Sequence, residues 1–381
     1  MAAFDVLIAG SGAAGCSAAI ALGDLAPDLR VCVVSGGPRQ RIALGETLPP
    51  LATRILKHLG VYERFEADRH PKTFRTLSAW GSRALLANEF LFGVHQFGWS
   101  LDRARFDAML AERAMERGAH WTQAKVAGLA RDHDRWTVLC DDGSQIAARF
   151  VLDATGRPAV LSQFAAGARA ARRDRLIGCL VRFDGPARMD LTVEAFADGW
   201  WFSTPLPDGG TVVACMSDSD IVKSRGLADM ATWSARLEET HFMRDTMAGA
   251  TAAGPPRILP AGSCIRSLRA DTPFLALGDA ASCFDPLSSQ GIVKAMRSGV
   301  FAAYAAFDFL ARDDPRGLSR YRLFVQREFA AYMRTLRDYY SRERRWSDRP
   351  FWQRRLAPRP AAAEPGAQSS SALRPSPDVA S

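Results

Sequence analysis

The chain has 381 residues, 48% of them hydrophobic and 24% charged, with a formal net charge of +8. That length and balance provide for a sizeable core and exclude both an intrinsically disordered chain and a small disulfide-stapled scaffold. The basic excess suits an acidic partner or a phosphate-rich cofactor, but no basic run has the pattern of a nucleic-acid surface.

The N-terminal segment Val6–Leu22 is apolar, yet no lysine or arginine precedes it and three glycines punctuate it. It therefore reads as a glycine-rich strand–turn–helix rather than a signal peptide. Asp5–Gly10 predicts a buried strand, Ser11–Gly23 a helix, and Arg30–Val34 a second strand. Gly45–Gly60 predicts a turn and then a helix. Leu101–Gly118 predicts a helix with Asp102 as its N-cap and Gly118 at its end. Trp136–Cys140 and Gln145–Leu152 flank DDGS and predict a hairpin. Leu176–Phe183, Leu191–Phe196, Trp200–Pro205 and Thr211–Met216 predict the strands of an inserted antiparallel sheet. Phe274–Leu277 predicts one more buried strand, and Gln290–Leu310 and Arg320–Tyr340 predict helices. The Ala/Pro/Ser-rich stretch 356–381 has no core to build and reads as a disordered tail. No stretch is long and apolar enough for a membrane span. Seven scattered cysteines, odd in number and without CxxC, point to a reducing, cytoplasmic location; the dispersed histidines predict no metal site.

Gly10-Ser11-Gly12-Ala13-Ala14-Gly15 is GxGxxG in the context that gives it meaning, after a strand and at the start of a helix. Gly10 permits the turn, Gly12 lets a pyrophosphate approach the backbone, and Gly15 brings helix and sheet together. The second strand ends in Ser35 where an acidic residue usually holds the adenosine ribose; Arg39 or Arg41 lies nearby. A second motif, Gly278-Asp279, leads into Asp285-Pro286-Leu287-Ser288-Ser289-Gln290-Gly291-Ile292.

With these motifs the chain resembles the FAD-dependent aromatic monooxygenases and their relatives, the flavin-dependent tryptophan halogenases. The resemblance covers most of residues 5–352. It implies an α/β fold: a glutathione-reductase-type Rossmann FAD domain, an inserted antiparallel β-sheet substrate domain, and C-terminal helices. The domain bounds it implies are 1–75, 100–165 and 265–310 for FAD; 76–99 and 170–264 for substrate; and 311–355 for the helices. It implies that Asp279 binds the ribityl chain, that Pro286, Ser289, Gln290, Gly291 and Ile292 lie beside the isoalloxazine ring, and that Arg103 packs on the flavin. Asp153-Ala154-Thr155-Gly156-Arg157 matches the strand-end segment of the same fold. With no second GxGxxG, reducing equivalents are expected from transiently bound NAD(P)H or a separate flavin reductase, with O₂ as co-substrate.

Gly45-Glu46-Thr47 resembles the GES/GET stretch of the halogenase branch, and Gly199-Trp200-Trp201-Phe202-Ser203-Thr204-Pro205 is similar to its GWxWxIP. Two departures stand out. Residues 73–82, TFRTLSAWGS, contain no halogenase lysine, Lys72 being the nearest; and Ser288 stands where halogenases have a glutamate. Hydroxylation through a flavin C4a-hydroperoxide needs neither group, only an electron-rich ring held close behind dry walls. Trp80, His95, Trp200, Trp201 and Phe202 are the candidates for a substrate pocket. The strand period places Trp200 and Phe202 on one face and Trp201 on the other. The SAWGS, GWWFSTP and ERRW…FW stretches point further, to the monooxygenases that mature the tryptophylquinone of quinohaemoprotein amine dehydrogenase. That implies a tryptophan on a peptide or small subunit as substrate. The basic, aromatic run 339–352 is either a packed helix end or a rim for such a substrate. A halogenase using Lys72, a hydroxylase of a free small aromatic, and an FAD-dependent isoprenoid reductase remain as alternatives.

Overall fold

The computed structural model describes residues 2–37, 44–89, 97–165, 168–185, 190–267 and 272–357. The expectations placed on Arg41, on His95 and on the tail beyond 357 lie outside these residues. In chain order the first elements are β1 (Ala2–Ala9), α1 (Ala13–Leu25), β2 (Val31–Ser35), β3 (Thr47–Leu48), α2 (Ala52–His58), α3 (Tyr62–Ala67), β4 (Lys72–Thr73), β5 (Arg75–Ala79), β6 (Leu86–Glu89) and β7 (Gly98–Ser100). The middle of the chain carries α4 (Arg103–Glu116), β8 (His120–Gln123), β9 (Val126–Asp132), β10 (Arg135–Cys140), β11 (Gln145–Asp153), β12 (Arg169–Arg172), β13 (Leu176–Asp184), β14 (Leu191–Phe196), β15 (Gly199–Pro205) and β16 (Thr211–Asp218). There follow α5 (Ser219–Arg225), α6 (Met230–Glu238), α7 (Met243–Thr246), β17 (Thr251–Ala252), β18 (Arg257–Pro260), β19 (Cys264–Ser267), β20 (Phe274–Ala276), β21 (Ser282–Cys283), α8 (Gly291–Arg312), α9 (Arg316–Ser341) and α10 (Pro350–Leu356).

The first sheet is ordered β8-β2-β1-β11-β10-β9, with β20 also pairing β11. Strands β8, β2, β1, β11 and β20 are mutually parallel. The β10–β11 pair is the expected antiparallel hairpin. Strand β11 is long enough to do both jobs: Ala148 and residues before it face β10, while Val151–Asp153 face β20. The burial of Val6–Ala9 in β1 and of Val31–Val34 in β2 explains why these stretches read as apolar runs. Helix α1 is built from alanines and glycines because α8 lies directly on it. A Cβ on Gly299 would sit 2.2 Å from the Ala14 carbonyl oxygen, so only glycine allows that approach.

The second sheet runs β17-β13-β16-β15-β14-β5-β6, with β18 also on β13. The predicted strands over 176–216 are all present and antiparallel to one another. The sheet is nevertheless mixed, since β5 joins β14 in parallel. There are two smaller sheets, β3-β7-β4 and β12-β19-β21. Helices α5, α6 and α7 cover one face of the second sheet and α10 packs on the other. None of the helices described is long and apolar enough to cross a membrane.

Candidate functional site

The glycine motif turns as expected. Gly10 follows β1 with φ +110, and a Cβ there would lie 2.3 Å from the Ala154 carbonyl oxygen. A Cβ on Gly15 would lie 1.9 Å from the Gly10 carbonyl oxygen. Helix α1 then begins at Ala13 with Gly12 as its N-cap and no side chain capping it, which leaves its first N–H groups for an anion. Ala13 and Ala14 are buried. Ser35 ends β2 and is hydrogen-bonded, Oγ to Oγ, with Ser11 at 2.7 Å.

The second motif comes to the same place. Gly278 has φ +59, and a Cβ on it would lie 2.8 Å from that of Ala14, so the glycine turn and the GD motif are neighbours. The side chain of Asp279 is 34% exposed, so it still offers a face to a ligand, while Lys294 of α8 holds its Oδ1 at 2.7 Å. Arg157 Nε stands 3.6 Å from Oδ2. Burial alone would raise this carboxyl; Lys294 and Arg157 together hold it below the ordinary range. Lys294 is itself only 2% exposed and also donates to the Ser282 carbonyl. Asp153, by contrast, spends both carboxylate oxygens on Thr155 and Ser162 and shapes the strand end without facing a ligand.

The loop into α8 is fixed from below by Asp285. Its Oδ1 accepts from Leu287 N–H at 2.9 Å and its Oδ2 from Tyr340 Oη–H at 2.9 Å. Pro286 opens a single 3₁₀ turn, Ser289 adopts φ +50, and Gln290 is the uncapped N-cap of α8. Around Gly291 a Cβ would meet nothing within 4 Å. Ile292 follows on α8 and packs against the core beneath the parallel sheet. Ser288 Oγ donates to the Asp285 carbonyl at 2.9 Å.

Leu44, just before the Glu46 segment, packs on the same apolar cluster as Leu287 of this loop. Arg103, at the start of α4, is clamped between Glu46 and Asp107, the latter at 3.1 Å. Burial works to lower the guanidinium, and the two carboxylates more than offset it. Thr47 is held in β3 opposite Ser100. Gly45, with φ +66, lies against Thr204: a Cβ there would fall 1.9 Å from the threonine methyl. Thr204 is wholly buried, and its Oγ1 has no hydrogen-bond partner among the described residues.

The predicted aromatics divide as the strand period requires. Trp80, Trp200 and Phe202 share a cluster with Tyr340, Phe351 and Trp352, whereas Trp201 packs on the opposite face against Trp233 at 5.0 Å. Trp200 is 1% exposed and its indole N–H is spent on Tyr340 Oη at 2.9 Å. The Trp80 indole N–H goes to the Tyr339 carbonyl at 3.0 Å. The half-buried members of the cluster are Leu44, Phe202 and Leu287 among others, and these stand where the two loops meet the sheet. Sequence reasoning singled out Phe202 but passed over Leu44, Leu287 and Lys294. A lysine inside the otherwise apolar GIVKAM stretch was the one available signal for the last.

Two uncapped helix starts, tight glycine turns and a partly exposed acid beside them form a cradle that fits a dinucleotide. Comparison with known proteins agrees. Residues 5–45 match the FAD binding domain, and residues 76–365 match tryptophan halogenase. The chain belongs to the tryptophan halogenase family of FAD-dependent oxidoreductases. It is similar to "Putative FAD-dependent oxidoreductase LodB" of Marinomonas mediterranea, with 29% identity over 368 residues, 94% of this chain and 98% of that one. Its backbone matches the myxobacterial chondrochloren halogenase CndH with a TM-score of 0.84 at 22% identity, covering 93% of this chain and 86% of that one. It matches the peptidyl tryptophan dihydroxylase QhpG with a TM-score of 0.75 at 23% identity, covering 99% and 82%. The backbone therefore follows CndH more nearly than the quinone-maturing group that the motifs pointed to.

Proposed function

We propose that this enzyme is an FAD-dependent monooxygenase that hydroxylates the indole of a tryptophan residue borne by a peptide or protein, during biogenesis of a quinone cofactor. NAD(P)H, directly or through a separate reductase, is the electron source and O₂ the oxygen source. The FAD supplies the electrophilic oxygen. The protein supplies position and dryness. In this reading Gly10, Gly12, Ala13, Ala14 and Gly15 hold the pyrophosphate and Ser35 the adenosine end. Asp279 receives ribityl hydroxyls, and Pro286 and Ser289–Ile292 flank the ring system. Glu46, Thr47 and Arg103 close the other side. The substrate ring rests against Phe202, Leu44 and Leu287, half-buried side chains on one apolar cluster. Trp80, Trp200 and Trp201 form the packed wall behind that surface.

The observation that carries hydroxylation over halogenation is the disposition of the lysines. The Lys294 ammonium is bound by Asp279 and Ser282, and the Lys72 ammonium lies over the Phe97 ring at 3.9 Å. Both ammonium groups are thus already engaged. QhpG, a peptidyl tryptophan dihydroxylase of the same fold, supports the peptide-borne substrate. Halogenation is the second reading, favoured by the family match and by the similarity to a 1H-pyrrole-2-carbonyl-[peptidyl-carrier protein] brominase of Pseudoalteromonas luteoviolacea, 26% identical over 319 residues. Aerobic incubation of the FAD-loaded enzyme with NADH or NADPH, a flavin reductase, bromide and a tryptophan-bearing peptide decides between them by mass spectrometry. Hydroxylation adds one or two oxygen masses independently of halide. A bromide-dependent product carrying the halogen's isotope pattern overturns it.

A further inference from the structure

Helix α9 carries a second feature that the site does not use. Arg320, Leu323, Arg327, Ala330, Arg334 and Arg337 recur at alternating steps of three and four and are all exposed, Leu323 by 43%. Such a repeat lies along one face of a helix. Other arginines nearby are neutralised: Arg316 by Asp314 at 2.8 Å and Arg297 by Glu328. The four arginines of the stripe have no carboxylate at ion-pair distance among the described residues. Of the helix's two acids, Glu328 is already paired and Asp338 lies near the C-terminal end. Beyond α9 the exposed Arg344 and Arg349 continue the same sign of charge beside the Trp80 end of the second sheet.

We infer that this arginine stripe on α9 is a docking surface for an acidic helical segment of the protein that bears the substrate. The spacing selects the partner. Arg320, Arg327 and Arg334 repeat every seven residues, about 10 Å along the axis, which is the repeat of carboxylates on a facing helix at heptad positions. Leu323 and Ala330 between them offer the apolar contact that such a helix would cover. Guanidinium groups suit paired, bidentate contact with carboxylates. Complementary charge of this kind sets orientation and encounter rate, so it would present a tethered ring to the rim where Phe202 and Leu287 lie.

The inference rests on the peptide-borne substrate proposed above, and one probe separates the two. The probe is a fluorescently labelled designed helical peptide with glutamates at heptad spacing, leucines between them and a tryptophan on a flexible end. Anisotropy with the FAD-loaded full chain should show binding that weakens with salt. The double variant Arg327→Glu/Arg334→Glu, exposed positions outside the cradle, should bind at least tenfold more weakly, and a lysine version of the peptide should not bind. Equal binding by the variant, or tighter binding of duplex DNA or phosphatidylserine vesicles than of the peptide, overturns the docking surface. Oxygenation of the tryptophan with a KM unchanged by charge reversal also overturns it while leaving the oxygenase reading intact. Salt-sensitive binding without oxygen transfer to any tryptophan upholds the stripe and rejects that reading instead.

Discussion

Asp285 shows how one buried side chain can govern a loop. It is 2% exposed, and burial, with Asp174 nearby, pushes its carboxyl up to about 6 in spite of Leu287 N–H, Arg355 and Tyr340. An aspartate in the unfolded chain titrates near ~3.9. Below that value both states hold the proton and the group costs nothing. Between that value and about 6 the unfolded chain ionises while the buried acid keeps its proton, so stability falls by about 3 kcal/mol across that window and levels off above it. Asp285→Asn, which keeps an acceptor for Tyr340, should flatten the dependence of the urea midpoint between pH 4 and 7. A variant with the wild-type slope would show that the loop is not under this strain. Asp279 responds in the opposite sense: its carboxyl is depressed, so what it contributes is lost only as pH falls below the ordinary carboxylate range.

At the scale of elements, α4 is the clearest case of local chemistry fixing a boundary. Asp102 accepts the Arg105 N–H at 3.1 Å and is the N-cap, as its sequence predicts. Asp102→Ala should cost about 1 kcal/mol, read as a lowered urea midpoint, and should loosen Arg103 one residue further on; unchanged stability would mean that packing alone sets the helix start. The same local legibility covers the glycine turn, the hairpin and the four central strands, each announced by period or turn residues within a dozen positions. What could not be read arises between distant residues. The parallel pairing of β5 with β14 joins Thr76 to Leu191, which no local pattern encodes. The short helices α5, α6 and α7 have too few turns for a period, and the start of α7 is held by Glu194, whose carboxylate receives the N–H groups of His241, Phe242 and Met243. The aromatic motif was visible, but its burial was not. Only the arrival of α9 and α10 decides that Trp200 is buried while Phe202 stays half-buried.

For the molecule as a whole, the C-terminal helices close the second sheet. Phe351 and Trp352 are fully buried, and the Trp352 indole N–H donates to the Phe196 carbonyl at 2.9 Å. Trp352→Ala should destabilise the enzyme by about 3–5 kcal/mol, with thermal unfolding of the second sheet advanced. A small shift confined to the last helix would indicate that the helix is peripheral. This dependence has a consequence for synthesis. Trp80 and Trp200 leave the ribosome early, yet their indole hydrogens find acceptors only on residues 339 and 340. A chain translated only through the second sheet lacks the acceptors for both indoles, and that face of the sheet stays open to water until α9 and α10 have emerged. The face that carries Trp80 and Trp200 is thus sealed late, and a product that ends before α9 leaves it uncovered.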